Sequence, residues 1–261
     1  MTTISDSRPS LSKNDSAVLQ ALFDAESSPS SGVTVSPSMP PWPATVNISS
    51  TDLGHLKSRE AQIILTLQDT ERPDEKVVRS ALSELNSLVA QYPTYPSAYT
   101  NRAQTLRLLA DIQYPQNQTV SDDPASNDSL YAPEASELLS SVFADLGTAI
   151  MLATPASPAD LVSPVQARLL ADAHTHRGYL LLKMARVKKN ASQSQNQTVG
   201  PEKLRGYSAD QLEEMASRDF FLGGRYGNKV AQQMAVQTNP YAKMCGAIVK
   251  QAMKKEMTGD S

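Results

Sequence analysis

The sequence is poor in cysteine and in aromatic residues. Cys245 is the single cysteine among 261 residues, which excludes an internal disulfide and fits a reducing compartment. Aromatic residues make up only 5% of the chain, although hydrophobic residues make up 40%. Small and branched aliphatic side chains must therefore form the core, and such side chains suit helices packed on helices better than a sheet.

A strong excess of charge and long apolar runs are absent as well. The net charge of −3 and the pI near 5.7 argue against a nucleic-acid-binding surface. No apolar run follows Met1, and no window of the sequence is long enough to span a membrane, so we expect neither a signal peptide nor a membrane segment. We therefore expect a cytoplasmic protein, with the nucleus as a further compartment open to it.

One stretch of the sequence, residues 94–112, sets the pattern for the rest of the chain. Pro96 near its start suits the first turn of a helix, where the missing N–H would have no partner in any case. The residues of one helix face follow at intervals of three and four, with a small alanine between bulkier side chains. They are Tyr99, Arg102, Ala103, Leu106 and Ala110. Such a face predicts a helix that packs between two helical neighbours.

Similar faces recur before and after this stretch. They comprise Ala81, Leu85 and Leu88; Val142, Leu146 and Ala149; His174, Arg177, Gly178 and Leu181; and Ala216, Phe220 and Gly223. Once two polar inserts are set aside, the spacing between these faces along the sequence fits tetratricopeptide repeats, whose period is about 34 residues. The sequence therefore predicts an all-α solenoid of three tetratricopeptide-repeat (TPR) helical hairpins with a C-terminal capping helix, a scaffold whose function is binding.

The predicted boundaries follow from these faces and from composition. Residues 1–51 form an N-terminal tail, in which a short amphipathic helix at 14–25 precedes a Ser- and Pro-rich linker. Residues 52–257 form the TPR domain. Its parts are three repeats at about 52–93, 94–155 and 164–227, two mobile loop inserts at 114–133 and 188–208, and capping helices at 228–257. The inserts fall between paired helices, where extra residues leave the core untouched.

The residues that could carry chemistry form no recognisable site. His174 and His176 lie two apart on a predicted helix and point to different faces, so they cannot share a metal ion. Asp172 and His176 share a face, and we favour an exposed ion pair over a metal half-site. Cys245 fits a buried structural thiol better than a nucleophile. We therefore expect a non-enzymatic protein with no catalytic residue, no metal and no cofactor.

The single tryptophan has two interpretations. Trp42 lies in the linker sequence MPPWP, where it either pins the linker onto the scaffold or serves as a short ligand for another protein. We favour the first interpretation, because a large aromatic side chain gains more from a groove than from water.

Four longer segments carry a family resemblance. They are NDSAVLQALFD from residue 14, YPSAYTNRAQTLRLLAD from residue 95, MASRDFFLGG from residue 215 and NPYAKMCGAIV from residue 239. They resemble the tetratricopeptide repeat protein 36 family, small three-repeat proteins also described as Hsp70-binding proteins. The resemblance implies a co-chaperone-like adaptor and a link to tyrosine metabolism.

The resemblance also implies a mechanism that the residues can test. Many chaperone-binding repeats hold the acidic tail of Hsp70 or Hsp90 in a carboxylate clamp of two Lys, two Asn and one Arg. Asn101 matches one clamp position, whereas Asp172 and His176 stand in place of Lys and Arg. Glu60 and Ile64 replace Lys and Asn. Acidic residues repel an acidic tail and provide no paired donors, so we expect no intact clamp.

Two functions remain open, and both involve a protein partner rather than nucleic acid, membrane or metal. The first is a co-chaperone-like adaptor, associated with Hsp70 by resemblance. The second is a dedicated regulator of one metabolic enzyme, by resemblance in tyrosine metabolism. In either case the expected partner surface is the inward face of the first helices, with Ile64, Asn101, Gln104, Leu108, His176, Tyr179 and Leu182.

The N-terminal helix is a further candidate for binding. Its apolar face comprises Val18, Leu19, Leu22 and Phe23. On a flexible linker of about 25 residues it reaches roughly 25 to 30 Å, so we predict that it docks on the repeats. It either shields the groove until a partner displaces it or completes the core permanently.

Overall fold

The computed structural model describes residues 33–69, 71–115, 129–191 and 200–239. Apart from one isolated parallel bridge between Val35 and Val162, these residues form helices and the turns between them. The predicted all-α class is confirmed. The helices are α1 (Ser50–Gln68), α2 (Glu75–Gln91), α3 (Pro96–Gln113), α4 (Ser136–Ala153), α5 (Pro164–Ala191), α6 (Glu202–Arg205), α7 (Ala209–Arg225) and α8 (Lys229–Thr238).

Local sequence signals explain where several helices begin. Pro96 lies in the first turn of α3, as predicted. The Ser49 hydroxyl accepts a hydrogen bond from the Asp52 amide at the start of α1. Ser208 and Gln211 form a reciprocal capping box at the start of α7. Each cap pairs a backbone group that the helix itself leaves without a partner.

Neighbouring helices along the chain pack side by side, from α1 against α2 to α7 against α8, and the short α6 stands outside this series. In addition α3 contacts α5, which brings the first helices of the second and third predicted repeats together. The small residues Ala81, Ala103 and Ala216 are buried between the helices. A Cβ at Gly178 would lie 3.2 Å from the carbonyl oxygen of Ala216, so a larger residue there would push α5 and α7 apart.

The two inserts are better ordered at their ends than the sequence indicates. The expectation that 114–133 is entirely a mobile loop is wrong, because Ser129–Tyr131 forms a buried turn of 3-10 helix. The Tyr131 hydroxyl donates to the Leu180 carbonyl over 2.6 Å. In the second insert, α5 continues to Ala191 and Gly200 is buried against Met184. Residues 116–128 and 192–199 lie outside the described residues.

Residues 33–49, called the strap below, are not a free linker. The Ser36 amide donates to the Val162 carbonyl over 2.9 Å, and the Ser163 hydroxyl donates to the Pro41 carbonyl over 2.8 Å. Trp42 is 7% exposed and meets Tyr95 edge-on, with ring centroids 6.1 Å apart. The strap therefore runs across the start of α5 and ends in the core, which fits the interpretation that Trp42 pins it.

Two further predictions fall largely outside the described residues. The N-terminal helix at 14–25 precedes the first described residue. Of the predicted capping segment, only residues 228–239 are described, and they contain α8. The expected thiol Cys245 belongs to the remainder.

One segment is more apolar than the sequence analysis recognised. Pro133–Ala153 has 21 residues and a mean hydropathy of 1.3, enough by length and composition to cross a membrane. Its packing is that of a core helix, because Leu139, Val142 and Leu146 are buried. Asp145 in its middle is 4% exposed and paired with Arg102. Such a pair suits a helix that is covered by other helices.

Candidate partner-binding groove

An open groove of about 600 Å³ runs between α3 and α5, and is called the inner groove below. Polar side chains of α3 form one wall, while α5 and Trp42 of the strap form the other. The helix contact between α3 and α5 is therefore what brings residues from distant parts of the sequence onto one surface.

The structure places three of the seven predicted partner-binding residues together. Asn101, Gln104 and His176 all line the inner groove. Ile64 and Leu108 are half-buried and do not contribute to its lining.

The remaining two predicted residues lie elsewhere. Tyr179 is exposed outside the groove, with the Lys183 ammonium 4.9 Å from its ring centre. Leu182 is 4% exposed and belongs to the core. The expectation that Leu182 contacts a partner is wrong, because its side of α5 packs inward.

Asn101 is held by residues of the scaffold. Its side-chain amide donates to Glu60 over 2.6 Å, and the Tyr95 hydroxyl donates to the other Glu60 oxygen over 2.8 Å. Burial, together with the adjacent Glu60 carboxylate, raises the pKa of Tyr95 far above its ordinary value, so the hydroxyl keeps its proton and remains a donor. The one residue that matches the carboxylate clamp therefore already serves an internal carboxylate.

His176 connects the two helices of the groove. One Arg107 guanidinium nitrogen lies 3.2 Å from His176 Nε2. A guanidinium only donates, so Nε2 is the acceptor of this hydrogen bond. The pair joins α3 to α5, and His176 itself lines the inner groove.

A further residue, not predicted from the sequence, lies on the same face of α5. Arg168, Asp172 and His176 follow one another at intervals of four residues and all line the groove. Residues four apart share a helix face, so extending the Asp172–His176 pair by one turn would have identified Arg168. The Arg168 and Asp172 side chains are exposed and offer both signs of charge to a partner.

A buried cluster of charged groups lies on the opposite side of α5. Arg177 donates twice to Asp219, over 2.7 Å in each case. His174 Nδ1 lies 2.8 Å from the same carboxylate, and His174 stacks on Tyr226. Burial by itself raises the pKa of Asp219, but the hydrogen bonds from Arg177 and His174 and the guanidinium charge lower it below its ordinary value.

The helix pair of α3 and α4 contains a similar ion pair. Arg102 on α3 donates twice to Asp145 on α4, over 2.8 and 2.6 Å. The paired residues are 43 apart here and 42 apart in the pair Arg177–Asp219. Both arginines stand at matching positions of the predicted repeats, but their partners were not predicted from the sequence. Among the described residues, no group of three His, Cys, Asp or Glu side chains is placed to hold a metal ion.

Comparison with known proteins gives one extensive similarity. No family model matches the chain, and no solved structure matches it. The L-tyrosine degradation gene cluster protein hmgX of Aspergillus fumigatus is 59% identical over 258 residues, which cover 99% of this chain and 98% of that protein.

Proposed function

Because this chain belongs to the family of the L-tyrosine degradation gene cluster protein hmgX, we propose that it is a non-catalytic regulator that binds one enzyme of tyrosine degradation through the inner groove. The observation that carries the proposal is the meeting of Gln104, Arg168 and Asp172 on one open surface between α3 and α5. The resemblance to the tetratricopeptide repeat protein 36 family, linked to tyrosine metabolism, points in the same direction.

The proposal includes a TPR arrangement of the helices. Two features support a TPR arrangement: an equivalent Arg–Asp pair in each of two helix pairs, and small residues at the closest helix contacts. In repeats of this kind the first helices present a continuous binding surface. The inner groove lies on two such helices.

The composition of the inner groove favours a folded protein partner over an acidic tail. Arg168 and Asp172 provide opposite charges, and Val165, which is 39% exposed, provides apolar surface. Electrostatic complementarity of mixed sign provides specificity for one partner. A peptide with the acidic Hsp70 C-terminal sequence would meet Asp172 and an Asn101 amide that already binds Glu60, so no contact supports the Hsp70-associated adaptor.

Calorimetry with the full chain tests the proposal. Each purified enzyme of tyrosine degradation is titrated in turn, and one of them should bind with a Kd of about 1 μM or tighter. The double variant Gln104→Glu/Arg168→Glu should weaken that binding at least about tenfold, because it adds negative charge to the inner groove beside Asp172. The Hsp70 tail peptide should bind no tighter than about millimolar.

A matched control makes the same two changes outside the groove. Gln62→Glu/Arg186→Glu alters exposed residues of α1 and α5 that do not line the inner groove, and it should leave the affinity unchanged. The proposal is wrong if no enzyme binds, or if both double variants weaken binding equally.

A further inference from the structure

A second groove, of about 1,090 Å³, lies on the other side of the helices and is called the outer groove below. It runs between α4 and α7, with the short α6 at one end. Its apolar lining includes Phe143, Ala144, Met151, Leu204, Met215 and Leu222. Met151 is 69% exposed, more than any other large apolar side chain among the described residues.

Part of α4 is open to the outer groove. In the apolar segment Pro133–Ala153, 39% of the residues in an 18-residue window are buried by the described part of the chain, and Ala144 and Met151 on α4 are exposed. Large exposed apolar surfaces mark places where another element docks. We propose that residues 14–25 of this same chain occupy the outer groove as an amphipathic helix.

The path of the strap supports this occupant. Trp42 lies in the inner groove, and the strap residues that precede it contact Ser163 and Val162. At the start of the strap, the Val33 amide donates a hydrogen bond to the Arg225 carbonyl at the end of α7. Leu222, three residues before Arg225, lines the outer groove. The chain that precedes Val33 therefore leaves the scaffold at the end of α7, about one helical turn from Leu222.

The lengths agree as well. The outer groove extends along α4 from Ser140 to Met151, which at 1.5 Å per residue is about 16 Å, and a helix over residues 14–25 is about 18 Å long. The residues between Ala25 and Val33 span at most about 28 Å when extended. A helix this short is marginal by itself and needs a surface to form on.

The charges also match. Residues 14–25 contain Asp15 and Asp24 and no basic residue. The rim of the outer groove carries Arg218 and Lys203 against the single exposed acid Glu202. The apolar face of Val18, Leu19, Leu22 and Phe23 then lies on the Met151 surface while the acids meet the basic rim. This arrangement leaves the inner groove free, contrary to the shield that the sequence analysis considered.

Disulfide trapping in the full chain tests the placement, with Cys245→Ala as background. Leu22→Cys is combined with Met151→Cys in the outer groove or with Gln104→Cys in the inner groove. Under mild oxidation the outer pair should form an intramolecular disulfide at least about tenfold faster than the inner pair, because docking holds the thiols together. Adding Val18→Asp should abolish that difference.

Three results would overturn the proposal. Faster trapping of the inner pair would mean that the helix shields the inner groove. Disulfides formed mainly between two chains would mean that the occupant belongs to a second copy. Equal and slow trapping of both pairs would mean that the segment docks on neither groove. Binding of an enzyme at the inner groove is measured separately and does not depend on any of these results.

Discussion

Arg177 binds Asp219 with two hydrogen bonds of 2.7 Å, and the pair joins α5 to α7 at a point where Asp219 is 3% exposed. The equivalent pair of Arg102 and Asp145 joins α3 to α4. A guanidinium that binds both oxygens of a carboxylate fixes the relative orientation of the groups. The two pairs therefore fix how α5 meets α7 and how α3 meets α4.

Removing one member of such a pair should be costly. Asp145→Ala leaves the Arg102 guanidinium without its carboxylate and should lower the free energy of unfolding by about 3 kcal/mol. Arg102→Lys keeps the charge but loses the two-bond geometry, and should lower it by about 1 to 2 kcal/mol. Urea denaturation followed by circular dichroism measures both changes.

The exposed pair of Arg79 and Glu75, 2.8 Å apart on α2, provides the control. Arg79→Ala should change the free energy of unfolding by no more than about 0.5 kcal/mol, since water screens an exposed pair. Equal losses at Arg79 and Asp145 would contradict a special role for the buried pairs.

Stability should depend on pH through Asp219. Its pKa is lower in the folded chain than its ordinary value, so below that ordinary value, about 3.9, the unfolded chain binds more protons than the folded one. The contribution of Asp219 is present above this pH and is lost as the pH falls through the folded pKa, with a slope of up to about 1.4 kcal/mol per pH unit.

Denaturation curves at several acidic pH values detect this dependence. The variant Asp219→Asn should be less stable at neutral pH and should show a shallower decline on acidification. Arg177→Gln removes two of the donors to Asp219 and should also flatten the decline. An unchanged slope in both variants would show that Asp219 does not govern the acid response.

Two glycines should respond in opposite directions to the same substitution. A Cβ at Gly223 would lie 2.7 Å from Thr175 Oγ1 and 3.1 Å from the Ala171 carbonyl oxygen. Gly223→Ala should therefore lower the free energy of unfolding by about 1 to 3 kcal/mol. A Cβ at Gly54 in α1 would meet no other atom within 4 Å, and Gly54→Ala should raise stability by about 0.5 to 1 kcal/mol. Thermal unfolding of both variants tests the contrast, and a shared sign would refute it.

Trp42 should hold the strap mainly through its ring. Its Nε1–H is buried and has no hydrogen-bond acceptor among the described residues. Trp42→Ala should cost about 3 kcal/mol because it leaves a cavity beside Tyr95. Trp42→Phe keeps an aromatic ring and removes the unpaired donor, so it should cost less than about 1.5 kcal/mol.

Circular dichroism is the suitable probe for these variants, because the chain has no other tryptophan to report by fluorescence. Limited proteolysis should cut the strap faster in Trp42→Ala than in Trp42→Phe. Equal losses in the two variants would contradict the expectation that an aromatic ring at this position is sufficient to hold the strap.

Helix positions could be predicted from the sequence because their signals are local. The periodic apolar face and Pro96 located α3, and the small residues Ala103 and Ala216 marked places where helices come close. Arg168 was within reach of the same reasoning, since it continues the four-residue spacing of Asp172 and His176. Such signals depend only on neighbours within a few turns.

Partners across the fold depended on the tertiary structure. Asp145 and Asp219 lie more than 40 residues from their arginines, and nothing local shows which buried acid meets which base. The strap and Ser129–Tyr131 have polar, Pro- or Ser-rich sequences typical of loops, yet packing against α5 orders them.

The sequence by itself determined that the chain forms helices with small residues at their contacts, because periodicity and capping act within each helix. The tertiary structure decided which faces remain open: it buried Leu182, tied Asn101 to Glu60, and left Gln104, Arg168 and Met151 exposed. Exposure is a property of the packed assembly, since a side chain is covered only when another element lies against it.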